Sequence, residues 1–134
     1  MTLVNLDGTI KLPIRKSRFG GEVLYIKYHN QKVEKQCTSL KVAKRAFCNT
    51  IAEKLLEKIN FIESADSLEA IINNVPLHFH PLHGKREGTY TIDINGRKSG
   101  YRLLLKFDEP TTDVFPHANI ITVIQIEEVS NHYE

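Results

Sequence analysis

Hydrophobic spacing divides the chain into a helical first half and a stranded second half. From Thr38, a residue type that caps helices, the apolar positions Leu40, Ala43, Phe47, Ile51, Leu55, Ile59 and Ile62 recur every three or four residues. That spacing predicts a single helix over 38–62 with one buried face. Its other side, carrying Lys41, Lys44, Arg45, Glu53, Lys54 and Lys58, reads as basic and exposed. Before it, "EVLYIKYHN" at 22–30 is β-branched and aromatic enough for a strand ended by Asn30. After it, a short second helix starts near Ser67 and covers "LEAIINN" up to Pro76.

The period then changes to two. Tyr90, Ile92 and Ile94 alternate with Thr91 and Asp93, and Tyr101, Leu103, Leu105 and Phe107 alternate with Arg102, Leu104 and Lys106. Two antiparallel strands are expected, joined through Asn95 and Gly96 by a loop longer than a two-residue turn. "EPTTDVFPHAN" reads as a polar loop, and "IITVIQIEEV" at 120–129, apolar on both faces, as a central strand. Residues 1–21, with Gly8, Pro13 and "RFGG", have weak periodicity and read as a short hairpin or a loose accessory arm. Helices first and strands later, without βαβ repetition, predict one α+β domain over 1–134: N-terminal helices packed on one face of a twisted antiparallel β-sheet.

A chain of 134 residues is long enough for one buried core without covalent staples. Cys37 and Cys48 lack CxxC spacing and read as reduced thiols. No apolar run reaches the roughly 18 residues of a membrane span, and the N-terminus has no apolar leader region. An unprocessed cytoplasmic protein without membrane contact is expected. The net charge of +2 is small, but its distribution is uneven: 11 Lys/Arg face 4 Asp/Glu up to Lys54, against 7 and 12 thereafter. Inside the acidic second half, Lys85, Arg86, Arg97, Lys98, Arg102 and Lys106 cluster around the hairpin against only Glu87 and Asp93. Two basic zones meeting on one face would attract a polyanion; otherwise they are ordinary solvated side chains.

The same stretch concentrates proton-carrying groups. His78, His80 and His83 spell H-x-H-x-x-H, yet no carboxylate or thiolate stands at a ligand spacing and Pro81 interrupts the segment, so metal binding ranks behind both acid–base or phosphate-contacting work and a structural place on a surface loop or core edge. Alternation puts Arg102 on a polar sheet face with Thr91 and Asp93, where a guanidinium fork suits phosphate. Arg86, between Gly84 and Gly88, lies on the loop feeding the hairpin and is expected to bracket the same phosphate. The competing role for Arg102 is an exposed cross-strand ion pair with Asp93, worth at most about 1 kcal/mol. His132 and Tyr133 follow the last strand and would reach the Arg102 face if the chain end folds back.

"HPLHGKREGTYTI", then "YRLLLKF", then an apolar strand closing in a His/Tyr tail, resembles the RelE/HigB superfamily of bacterial type II toxins over about residues 38–134. The matching positions are His80, Pro81, Leu82, Gly84, Arg86, Glu87, Gly88, Tyr90, Thr91, Ile92, Tyr101, Arg102 and Leu103. The resemblance implies a RelE-like fold and an endoribonuclease that cuts mRNA on the ribosome without a cofactor until a cognate antitoxin neutralises it. Carried over, Arg86 and Arg102 stabilise the transition state, His80 or His132 acts as base or acid, and Tyr133 orients a base. His83, Lys85, Arg97, Lys98 and Lys106 grip RNA backbone. The chain departs from the pattern at His83, where a lysine is usual, at Asp93, where a basic residue is usual, and in the order of its tail. Those departures leave two alternatives: a binding module of the same fold with weakened or lost catalysis, and a toxin acting on a topoisomerase. Oligomeric state is left open.

Overall fold

The computed structural model describes residues 3–4, 10–11, 24–107 and 114–131. Two short strands, β1 (Leu3–Val4) and β2 (Ile10–Lys11), pair antiparallel as a sheet of their own; the remainder of the predicted arm lies outside the described residues. The main body is α+β. Its strands are β3 (Tyr25–Tyr28), β4 (His80–Pro81), β5 (Tyr90–Asp93), β6 (Tyr101–Lys106) and β7 (Val123–Asn131), in the order β3-β7-β6-β5-β4.

The single helix expected over 38–62 is two, and a further helix precedes them. α1 (Gln31–Thr38) begins at Asn30, whose Oδ1 accepts from the Val33 amide at 2.9 Å. Thr38, expected to open a helix, closes this one instead, its hydroxyl donating to the Glu34 carbonyl at 2.7 Å. Ser39 ends α1 and caps α2 (Leu40–Ala46), accepting from the Val42 amide at 3.3 Å. Extended backbone at Phe47 and Cys48 then redirects the chain into α3 (Asn49–Ser64). Apolar spacing survived these breaks because each piece turns one side to the same core: Ala43, Ile51, Leu55, Ile59 and Ile62 are all buried, while Leu40 is exposed. The second helix, α4 (Leu68–Ile72), buries Leu68 and Ile71.

The sheet is also mixed, correcting the all-antiparallel expectation. β3 runs parallel to β7 (Tyr25 opposite Val123, Tyr28 opposite Ile126), and only the other pairs are antiparallel. A parallel neighbour needs a long crossover, which the helices between β3 and β4 help to supply. Strand alternation reports which residues share a face and carries no record of which distant strand lies alongside.

Tyr90, Ile92, Leu103, Leu105, Ile124 and Ile126 pack with Ile51, Leu55, Ile59, Ile62, Leu68 and Ile71 in one core. Each large aliphatic side chain buried there stabilises by about 1.5–3 kcal/mol relative to exposure. Val33 and Cys37 of α1 join this core, and burial pushes the Cys37 thiol up to about 12. α1 and α2 do not simply lie on the apolar face: Gln36, Ala46 and Phe47 also border a cleft lined by Thr89, Leu104 and Glu128.

Candidate functional site

β3 stops opposite Ile126, so from Glu127 onward β7 has no strand on that side among the described residues. A cavity of about 820 Å³ opens along this edge, between α1 and α2 and the loop that carries Lys85 and Arg86. Its charged walls are His29, Lys32, Lys85, Arg86, Lys106, Glu127 and Glu128.

Local chemistry places most of them. The Lys85–Arg86 loop is closed by the Leu82 amide donating to the Thr89 carbonyl (2.8 Å) and the Thr89 amide to the Arg86 carbonyl (2.9 Å). Its turns need the positive φ of Gly84 (+68°) and Gly88 (+91°), which glycine adopts without a Cβ penalty. Opposite, β6 and β7 slip register: Leu104 faces Glu128 but Leu105 faces Ile126. Glu127 is therefore the extra residue of a β-bulge, a device that re-aims side chains at sheet edges, and both glutamates line the cleft. His29 is anchored by its amide, which donates to the Ile126 carbonyl at 2.9 Å and carries the parallel ladder one residue past β3.

These groups meet in two ion-paired sets. Glu127 Oε2 lies 3.0 Å from His29 Nδ1 and accepts from Gln125 Nε2 at 3.3 Å, while its Oε1 lies 3.3 Å from Lys106 Nζ. Arg86 Nη1 donates to Glu128 Oε1 at 3.3 Å, with side chains 43% and 50% exposed. An exposed pair of that kind contributes about 0–1 kcal/mol, so an incoming phosphate can replace Glu128 on Arg86 at little cost. Lys85, Arg86 and Lys106, three of the residues singled out in the sequence, are thus brought to one cleft.

Arg102 and His80 are not in it. Arg102 shares a sheet face with Asp93, as alternation implied, but the pair is closed off: Nε lies 3.1 Å from Asp93 Oδ1, with side chains 10% and 0% exposed. Two further donors go to backbone, Nη1 to the Tyr101 carbonyl and Nη2 to the Arg97 carbonyl, both at 3.1 Å. The fork expected to hold phosphate on an open polar face is spent on the fold. Beside it, His78 takes a left-handed backbone (φ +52°), uncommon for a side chain of its kind, and its Nδ1 stands 3.9 Å from Asp93 Oδ2. His80 Nδ1 bonds the His78 carbonyl at 2.7 Å, and the two rings lie 4.3 Å apart. Partial burial, then the nearby His80 and Arg97, hold the His78 pKa below the usual imidazole value against the pull of Asp93.

His83 is exposed and Arg97 sits on a short turn, both away from the cleft. The Lys98 side chain, His132 and Tyr133 lie outside the described residues. Sequence reasoning overlooked His29, Glu127 and Glu128. The glutamates had a signal: Ile124 and Ile126 are two apart but Val129 follows three later, which is the count of a bulge. His29 had none, since its place depends on a strand a hundred residues away.

Among the described residues no group of His, Cys, Asp or Glu is arranged to hold a metal ion, and no helix is long and apolar enough to cross a membrane. Compared with known proteins, the chain matches no family model and no curated protein.

Proposed function

We propose that this protein binds RNA in the cleft along β7 and cleaves it without metal, as the toxin of a type II toxin–antitoxin pair. The observation that carries the proposal is the convergence of Lys85 and Arg86 from a glycine-hinged loop with Lys106 from β6 on one open cavity. The resemblance of residues 80–103 to the RelE/HigB superfamily supplies the reaction class, the ribosome as the setting and a cognate antitoxin as the partner. A RelE-like arrangement of the helices and sheet belongs to the same proposal.

Cations on independent elements suit a phosphodiester: the Arg86 fork can take two of its oxygens, and the lysines add charge where it builds up in the transition state. Removing one such donor in related electrostatic sites costs about 10²–10³-fold in rate. The test is inducible expression followed by mapping of mRNA 5′ ends. Wild type arrests growth and generates new ends; the double change Lys85→Ala and Arg86→Ala does neither while staying folded. Equal growth with and without induction of wild type would end the toxin proposal.

A second reading, a binding module without catalysis, is favoured by one observation: Glu127 and Glu128 already neutralise Lys106 and Arg86. It predicts salt-dependent RNA binding with no new ends.

A further inference from the structure

Of the histidines among the described residues, His29 alone lines the cleft. It was expected to be no more than the tail of a strand, and the fold gives it three properties that an unattached surface histidine lacks.

The first is a fixed position. Its amide is bonded to Ile126, so the residue belongs to the sheet ladder even though β3 has ended. The second is a fixed ring. Nδ1 lies 3.0 Å from Glu127 Oε2, and an ionised carboxylate can only accept, so the contact favours a proton on Nδ1 and leaves Nε2 as the nitrogen that faces a ligand. The carboxylate is itself held, by Gln125 on the same oxygen and Lys106 on the other, and its side chain is only 14% exposed. The third is access, because the imidazole is 58% exposed and shares the cavity with Arg86 and Lys106. A carboxylate behind an imidazole, with the far nitrogen open to a ligand, orients the ring and stabilises the imidazolium once it forms.

We propose that His29 is the proton carrier of the cleft, with Glu127 as its positioning residue; this rests on the RNA-cleaving role proposed above. His29 Nε2 removes the proton of a ribose 2′-hydroxyl. The 2′-oxygen bonds to the adjacent phosphorus, the bond from phosphorus to the 5′-oxygen breaks, and that oxygen leaves with a proton from water. The imidazolium returns its proton to the hydroxide left behind. The products are a 2′,3′-cyclic phosphate and a 5′-hydroxyl, so no metal or further reagent is consumed. This transfers the acid–base role from His80, whose Nδ1 is taken by the His78 carbonyl outside the cleft.

The experiment uses the full chain on translating ribosomes and counts new mRNA ends for wild type, His29→Gln, His29→Ala and Glu127→Gln. His29→Gln should lose about 10²–10⁴-fold in cleavage rate while RNA binding changes little, and the acidic limb of the pH–rate profile should vanish with it. His29→Ala should regain activity when free imidazole is added, a recovery that a merely misfolded variant cannot show. Glu127→Gln should lose less than His29→Gln and shift the profile. If wild type cuts and His29→Gln cuts within about threefold of it, His29 is not the proton carrier although the nuclease proposal stands. If wild type makes no cut at all, both fall together.

Discussion

Two clusters of similar residues occupy this molecule and are built to opposite ends. Along the edge of β7 that no strand covers among the described residues, His29, Glu127, Lys106, Arg86 and Glu128 form ion pairs that open onto a cavity of about 820 Å³. On β5 and β6, Asp93 and Arg102 form a pair with almost no solvent contact, flanked by His78. The chemical inventory barely differs: a carboxylate, a guanidinium or ammonium, an imidazole. Exposure decides what each can do. A pair near water is cheap to break and free to exchange partners, whereas a buried one is committed, because separating it strands a charge in a poor solvent.

The sharpest way to break this comparison is Arg102→Ala. It leaves Asp93 buried without its cation and should destabilise the fold by about 3–5 kcal/mol in chemical denaturation, so any loss of function in that variant reports unfolding. A cost below about 1 kcal/mol would show that the cluster is as open as the cleft. Ser39→Ala should cost about 1 kcal/mol by removing the cap of α2, which borders the cleft, and circular dichroism with denaturant follows it. Arg86→Ala and Lys106→Ala should each stay within about 1 kcal/mol of wild-type stability while weakening RNA binding. In filter binding, each lost phosphate contact should lower the salt dependence of log affinity by about 0.7.

The smallest effect is the pH dependence due to His78. Its folded pKa is depressed, so below the unfolded value near 6.5 the unfolded chain binds a proton that the native state does not. Its contribution to stability is therefore complete above about pH 6.5 and is lost as pH falls through the lower folded pKa. Melting between pH 7.5 and 5 should show a decline that His78→Asn reduces, asparagine being chosen because it tolerates the left-handed backbone. A decline unchanged in that variant would assign it elsewhere.

Local periodicity made much of the fold legible. The apolar faces around Ile51 to Ile62 and the alternation of Tyr90 to Ile94 with Tyr101 to Leu105 are short-range patterns; Ile51, Leu55, Ile59, Ile62, Tyr90, Ile92, Ile94, Leu103 and Leu105 are buried as they imply, but Thr91, Asp93, Arg102 and Leu104 are buried as well. The same alternation placed Asp93 and Arg102 on one face, where they are found opposite each other. Alternation is silent on what covers that face, so it left the pair exposed when it is buried. The helix break at Phe47 and Cys48 was hidden because the three- and four-residue spacing continues across it.

By itself, then, the sequence determined an α+β domain, its core faces and the basic loop at Lys85 and Arg86, since each depends on neighbours within a few residues. Tertiary structure alone decided that β3 joins β7 in parallel and stops short, that the cleft lies beside Glu127 and Glu128, and that His29 arrives next to them. Those are meetings of residues far apart in the chain. Their geometry comes from how the whole sheet is ordered, which no local pattern of polar and apolar positions encodes.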